Sequence, residues 1–344
     1  IVIGGSLLLY EFGKASDIIE KDGFKIDKKI NFNVSGSDLS SQSKSTGLAI
    51  IELTNVFNDL KPDAVITFAD RYETMATAIT ASYMNIYLIH IQGGELSGNI
   101  DDRVRHSISK LADYHFPSTL LSKKRLIAMG ESPKRISCFG CPSIDLINNN
   151  SLDISNHIMK KYGGTGGKID WSKKFILVLL HPVTTSYGMA HLQMTNTLKA
   201  IKDIEYQKVI LWPNIDAGSS DTSKAIREFK EKNNDDKFFF FRNFEPEDYL
   251  RLLSNTLCAV GNSSSFIREG SKLGTPAVLI GDRQKNRETG KNIVITDYNY
   301  KNISKAINKQ IKNGKYNPTY IFGKGDISKK ISAQIDKLNF RNRK

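Results

Sequence analysis

Short apolar runs alternate with amphipathic stretches along almost the whole chain. IVIGG opens it, and AVITF (64–68) and IYLIHI (86–91) follow, with helical patterns at 43–60 and 72–83 between them. Segments 114–118 and 136–141 read as shorter strands. After 148 the pattern breaks into NNNS, a helix-like piece and YGGTGGK, and then a second series starts: FILVLL (175–180), VILWP (209–213), FFFF (238–241), LCAVG (257–261), AVLIG (277–281) and IVIT (293–296). Near-continuous apolar strands separated by helices imply parallel sheets covered on both faces. The expected fold is α/β, with two Rossmann-like doubly wound domains at 1–150 and 175–325, a linker at 151–174 and a basic tail at 326–344. Ligands of such folds bind at the C-terminal ends of strands, here in a cleft between the domains.

The densest polar chemistry lies at 90–106, HIQGGELSGNIDDRVRH, which leaves an apolar strand, turns at Gly93 and Gly94, and enters a helix near Ile100. Asn99 and Asp102 have capping-box spacing. Val104, Ile108 and Leu111 fall on one stripe, expected to be buried. Asp101 with Arg105 and Asp102 with His106 are expected as i,i+4 pairs on the opposite side. A capped helix with solvated pairs is the simpler reading of this segment alone.

Three strand ends of the second series also carry chemistry. His181 follows Leu180. Gly261-Asn262-Ser263-Ser264-Ser265 opens a helix containing Glu269, a start suited to a diphosphate, with the acid within reach of ribose hydroxyls. Arg283 follows Gly281 and offers a guanidinium for phosphate. The pair Gly166-Gly167 before Lys168 fails the phosphate-loop pattern, because Tyr162 stands where its first glycine belongs and Ile169 where Ser or Thr belongs.

The net charge of +13 raises nucleic-acid binding. However, residues 301–344 hold twelve Lys and Arg against two Asp, so the remaining 300 residues are nearly balanced. Ile303, Ile307 and Ile311 repeat every fourth residue, and aromatic interleaving for base stacking is absent. A solvated helical face is therefore expected there, with neither nucleic acid nor membrane as partner. No apolar run approaches transmembrane length and no signal pattern opens the chain, so a cytoplasmic location is expected. Of the three cysteines, Cys138 and Cys141 form one CxxC; without a second pair it predicts a buried strand end rather than a zinc site.

Ala69-Asp70-Arg71, the stretch 90–106, GCPSID (140–145), HPVTT (181–185), PNIDAGS (213–219), GNSS (261–264) and GDRQKNRETGKN (281–292) together resemble the hydrolysing UDP-GlcNAc 2-epimerases that feed sialic and related nonulosonic acid pathways. The motifs occur in the same order over nearly the whole chain. The resemblance implies a glycosyltransferase-B type fold, a UDP-sugar substrate between the domains, a homodimer or homotetramer, and no cofactor or metal. It implies Asp70, Glu95, Asp101, Arg105 and His181 as catalytic groups. The implied substrate contacts are Arg71, Gln92, Asn214, Asp216, Ser263, Ser264, Glu269 and Arg283.

Two departures stand out. The family commonly has Glu at the position of Gln92, and an amide cannot act as a carboxylate base. Family members also carry a strand and an Arg-bearing loop ahead of the strand that opens this chain, which implies an incomplete copy of a longer protein. Two other function classes stay open: a glycosyltransferase of the same fold, which would not need the carboxylates at 70, 95 and 101, and a UDP-sugar binding protein without activity.

Overall fold

The computed structural model describes residues 1–344 apart from 10–15, 37, 99, 155–161, 168, 234 and 342–344. Asn99 and Lys168, named above as cap and loop residues, lie outside the described residues. Two units are present: Ile1–Asp145 with Phe322–Lys344, and Leu146–Ile321.

The first unit is built on parallel strands. β1 (Val2–Gly4) pairs with β2 (Lys28–Ile30), and β3 (Ala64–Phe68), β4 (Tyr87–Ile91) and β5 (Tyr114–Phe116) form a second ladder in that order. β4 has a strand on each side and is buried at all five residues, which is why it reads as a near-continuous apolar run broken only by His90. β3 is paired on one side only, and Ile66 and Phe68 are 52% and 42% exposed. Around the strands run α1 (Ser16–Lys21), α2 (Leu39–Leu60), α3 (Tyr72–Tyr83), α4 (Ile100–Leu111) and α5 (Leu120–Ala128), and α6 (Ser143–Asn149) begins in this unit and ends in the second. Asp38 caps α2 by accepting from the Ser41 N–H at 2.7 Å, and α2 stops at Lys61 in left-handed conformation. Ala49, Leu53, Phe57, Ala76, Leu88 and Ile108 form the core of this unit.

The segment 136–141 is not a strand; Ile136 makes a single bridge to His115. Gly140 has a φ of 121°, and the Cys141 N–H is donated to Phe322 O at 2.8 Å instead of to a ladder. Cys141 is buried and Cys138 half-buried.

The second unit has a seven-stranded sheet. Its members are β6 (Thr165–Gly166), β7 (Phe175–Leu179), β8 (Gln207–Leu211), β9 (Phe238–Phe241), β10 (Ala259–Gly261), β11 (Ala277–Ile280) and β12 (Ile293–Thr296), in the spatial order β12-β11-β10-β7-β8-β9-β6. All neighbours are parallel except β6, which pairs antiparallel to β9. The YGGTGGK stretch thus supplies a short edge strand. From β7 the chain builds outward through β8 and β9, then returns to place β10, β11 and β12 on the other side, so strand order reverses between β7 and β10. In a doubly wound sheet that reversal opens a crevice at the strands' C-terminal ends.

α7 (Ala190–Lys202), α8 (Ser219–Lys232), α9 (Pro246–Asn255), α10 (Arg268–Leu273) and α11 (Tyr300–Asn313) complete the second unit. The core gathers Ile176, Val178, Leu198, Ile210, Val260, Val278 and Ile307. The basic stretch 301–344 is divided. α11 buries Ile303 and Ile307 in the second unit's core and turns its lysines outward, whereas α12 (Ile327–Ile335) belongs to the first unit, its start held by the Asp145 carboxylate accepting from Ile327 and Ser328 N–H at 3.0 and 2.7 Å.

Candidate active site

In the first unit the loops after β3 and β4 and the start of α4 bring together Asp70, Glu95, Asp102 and Arg105. Arg105 is fully buried, contrary to the solvated side expected from the helical pattern, whereas Leu111, assigned to the buried stripe, is exposed. The buried face of α4 is Arg105, Ile108 and Ser109, with Val104 half-buried. A buried guanidinium costs several kcal/mol unless it is paired; Arg105 is paired through its two terminal nitrogens, while its Nε has no hydrogen-bond partner among the described residues. Here Nη2 donates to Asp70 Oδ2, and Nη1 to Glu95 O at 2.6 Å and Asp102 Oδ1 at 2.8 Å. Burial alone would lower the Arg105 pKa, but Asp70, Glu95 and Asp102 outweigh it and hold the group above its ordinary value.

Asp102 does more than pair with Arg105. Its Oδ1 accepts from the Ser97 N–H at 2.6 Å and the Ser97 hydroxyl at 2.7 Å, and its Oδ2 from the Gly98 N–H at 2.8 Å. Burial works against ionisation, but these bonds and Arg105 keep its carboxyl below the usual carboxylate value. Asp102 therefore folds the loop back onto the helix start, and the ion pair it makes is with Arg105 at i,i+3. Asp101 is half-buried in the same first turn. His106 is half-buried; burial, then Arg105, lowers its pKa, and its Nδ1 has no hydrogen-bond partner among the described residues.

Gln92 follows β4 with a φ of 68° and is buried. Its N–H is donated to Phe116 O at 2.9 Å, and its Nε2 lies 3.1 Å from the Cys141 thiol, whose sulfur is 3.0 Å from Ser143 Oγ. Arg71, placed at the start of α3, makes a two-point pair with Glu73 at 3.1 and 2.9 Å. The Gln92–Cys141 contact was not visible in the sequence, where the two are 49 positions apart with no periodic relation.

In the second unit the groups cluster at the reversal between β7 and β10. His181 and Asn262, which follow these two strands, are joined by reciprocal bonds: His181 N–H to Asn262 Oδ1 and Asn262 Nδ2 to His181 O, both 2.8 Å. The close approach requires Gly261, because a Cβ there would strike Leu179 O. His181 Nδ1 accepts from the Asn214 N–H at 3.2 Å, so a neutral ring carries its proton on Nε2. Asp216 Oδ2 accepts from Asn214 Nδ2 at 2.5 Å and Arg283 Nη2 at 3.3 Å, while Arg283 Nη1 reaches Asn262 O at 3.4 Å. Asn262 was not among the residues given a role from the sequence; its place in GNSS was the available signal.

The serine run forms a 3-10 turn, Ser264–Phe266, that leads into α10. Ser263 Oγ caps it, at 3.4 Å from the Ser265 N–H, and lies 2.8 Å from Ser265 Oγ, which is 2.5 Å from Tyr249 OH. Ser264 Oγ accepts from Arg268 Nη1 at 3.3 Å, and Glu269 sits half-buried in the first turn of α10. An open groove bordered by Lys199, Tyr300 and Lys305 contains none of these residues. Among the described residues no group of three or more His, Cys, Asp or Glu could hold a metal ion, and no helix is long and apolar enough to cross a membrane.

Parallel α/β units with polar groups at their strand ends define a protein of the glycosyltransferase-B-like fold class. The chain belongs to the UDP-N-acetylglucosamine 2-epimerase family, whose model matches residues 1–336. It is 31% identical over 330 residues to the UDP-N,N'-diacetylbacillosamine 2-epimerase (hydrolyzing) of Legionella pneumophila, covering 96% of this chain and 85% of that one. It is 35% identical over 301 residues to the GDP/UDP-N,N'-diacetylbacillosamine 2-epimerase (hydrolyzing) of Campylobacter jejuni, covering 87% and 77%. Among solved structures, a UDP-GlcNAc 2-epimerase from Neisseria meningitidis bound to UDP-GlcNAc superposes with a TM-score of 0.76 at 19% identity, over 98% of this chain and 99% of that one. That likeness establishes the fold.

Proposed function

We propose that the chain is a hydrolysing 2-epimerase that converts a UDP-linked 2-acetamido sugar and water into UDP and the free 2-epimer. Support comes from the relatives named as hydrolysing enzymes and, above all, from the buried Arg105 with carboxylates gathered at it. In the proposed reaction a base removes the C2 proton, the electron pair forms the C1–C2 double bond, and the C1–O bond breaks as UDP leaves. Water then adds its hydroxyl to C1, and an acid returns a proton to C2 from the opposite face.

Such a sequence needs carboxylates for base and acid duty and a cation or hydrogen-bond donors for the departing diphosphate. Asp70 and Asp101 are assigned to the first task, with Glu95 beside them and Arg105 fixing Asp70. His181, with a donor Nε2–H, is assigned to the leaving group, and Ser263, Ser264 and Arg283 to the diphosphate. Glu269 is assigned to the ribose. Arg71, Gln92, Asn214 and Asp216 complete the assigned substrate contacts. Two diacetylbacillosamine-named relatives and a polysialic acid biosynthesis protein of Escherichia coli, 32% identical over 302 residues, favour a role in supplying nonulosonic acid synthesis. The diacetamido-trideoxy sugar is the first substrate to test.

The test is proton NMR and mass spectrometry of the protein incubated with UDP-GlcNAc and, separately, with the UDP-diacetamido-trideoxy sugar. Equimolar UDP and free 2-epimer is the expected product. Accumulation of an epimerised nucleotide sugar without free sugar would overturn the hydrolytic reading; transfer to an added acceptor would move the chain to the glycosyltransferases.

A further inference from the structure

His90 is the fourth of the five residues of β4, fully buried, one residue before the strand's end. Its Nε2 lies 2.9 Å from the carbonyl oxygen of Ala69, and its Nδ1 3.1 Å from Ser109 Oγ. A carbonyl only accepts, so Nε2 carries the proton and Nδ1 is the acceptor. Ser109 Oγ is also 2.9 Å from Arg105 O, one turn back along α4.

Both ends of this chain of bonds terminate beside the Asp70–Arg105 pair. Ala69 has a φ of 67°, a left-handed conformation that is unfavourable for a residue with a Cβ. β4 grips it twice: the Ala69 N–H is donated to Ile91 O at 3.0 Å, and its carbonyl accepts from His90. That turn aims the next residue, Asp70, at Arg105. On the other side, the Ser109 hydroxyl lies within hydrogen-bond distance of both His90 Nδ1 and Arg105 O; its single hydrogen serves one of these acceptors at a time, so the imidazole is tied to the turn of α4 that carries Arg105 through Ser109. A second observation concerns Gly93, where a Cβ would lie 2.9 Å from both His90 Nδ1 and Ser109 Oγ. The turn after β4 thus leaves room for this imidazole and hydroxyl to meet.

We infer that His90 is a positioning residue for the proposed reaction: as a neutral Nε2–H imidazole it holds the Ala69 turn and the Arg105 turn so that the Asp70 carboxylate meets the guanidinium. Its role rests on the 2-epimerase reading for its consequence in turnover, and on geometry alone for its tautomer. Burial first, with His115 and Arg105 adding to it and Ala69 and Asp70 opposing, lowers the His90 pKa to about 3. The ring therefore stays uncharged through the working pH range and moves no proton itself.

Three measurements test this. Nitrogen-15 NMR of histidine-labelled full chain is expected to show one imidazole locked as the neutral Nε2–H tautomer from pH 5 to 8; if every histidine titrates there, or the locked ring carries its proton on Nδ1, the inference is wrong. With substrate, His90→Leu is expected to lower kcat tenfold to a hundredfold with KM little changed, the scale of a misplaced reacting group. His90→Gln, whose amide can still donate to Ala69 O, is expected to recover most of that loss. Equal losses in the Leu and Gln variants, or a change in KM alone, would overturn the positioning role. Should the Leu variant fail to fold, Ser109→Ala, which removes the Nδ1 partner together with the hydroxyl beside Arg105 O, is expected to lower kcat severalfold; unchanged kcat there counts against the inference. Absence of turnover in the parent protein would refute the epimerase reading while leaving the tautomer result intact.

Discussion

Arg105 and Asp70, 35 residues apart in the chain, form an ion pair in which the guanidinium is buried and the carboxylate remains partly open. Arg105 enters from the first turns of α4 and Asp70 from the loop after β3, so the pair exists only once β3 and β4 have aligned in parallel register. It joins the two strand ends at which the carboxylates are gathered. Breaking one partner of a buried pair leaves an uncompensated charge, so this contact contributes to the stability of the unit.

Asp70→Asn and Asp101→Asn are each expected to reduce kcat about a hundredfold, the usual scale for loss of a general acid or base. UDP affinity, measured by calorimetry, is expected to stay unchanged, because neither side chain is assigned to the nucleotide. Thermal unfolding separates the two variants: Asn at 70 still offers Arg105 an acceptor but no charge, so that variant is expected to melt lower. Near-normal turnover in Asp101→Asn would reduce the start of α4 to a capped helix end.

Asp102 gives a pH-dependent prediction. Its folded pKa is depressed below 3.8, so the folded state binds fewer protons than the unfolded state near pH 4. The stability it contributes is complete above the unfolded value and is lost as pH falls through the folded one. Asp102→Asn is expected to cost about 1–3 kcal/mol at pH 7, as for removal of charged hydrogen bonds. In urea titrations the gap from the parent is expected to narrow below pH 4. A gap of the same size at pH 3 and pH 7 would remove the carboxylate's charge from the account.

The sheets were legible in the sequence because strands covered on both faces become near-continuous apolar runs, as in β7, β9, β10 and β11, and in β4 and β8 apart from His90 and from Gln207 and Lys208. α3 was legible from end to end. The face of α4 was not: helical periodicity assigns a guanidinium to solvent, and what buries Arg105 is a carboxylate 35 positions away. For the same reason 136–141 read as a strand. Phe139 packs against the Phe116 ring and the Cys141 N–H bonds Phe322 O instead of a ladder partner, and local pattern does not distinguish this from a strand. In the second unit GNSS identified a polar strand end, but the role of Asn262 in bridging to His181 depends on β10 lying beside β7, which sequence order alone does not reveal.

Arg283 is held by Asp216 and by the carbonyl of Asn262 at the crevice of the second sheet. Arg283→Ala is expected to weaken UDP binding by about 1.5–3 kcal/mol, the range for a hydrogen bond to a charged group. Calorimetry with UDP on the folded variant checks this, and unchanged affinity would remove Arg283 from the diphosphate contacts.

Gln92→Glu puts a carboxyl group at a buried position, and the structure makes its consequence depend on pH. The side chain is buried, and its amide nitrogen faces the Cys141 thiol. Glu is close in shape, so the backbone turn at φ 68° is expected to persist. A carboxylate facing a thiol gains little to offset its desolvation, which raises its folded pKa above the ordinary value of about 4.3. A raised folded pKa means that the folded state binds more protons than the unfolded state, so stability falls as pH rises through that interval. The variant is expected to match the parent closely at pH 5 and to be less stable by about 1–3 kcal/mol at pH 8, the scale for burying a poorly compensated polar group. Cys141→Ser in the same background, which supplies a stronger donor, is expected to recover part of the loss at pH 8. Urea denaturation of the parent and both variants at pH 5 and 8 measures this. Equal stability of Gln92→Glu and the parent at pH 8 would mean that a charged group at 92 finds a partner.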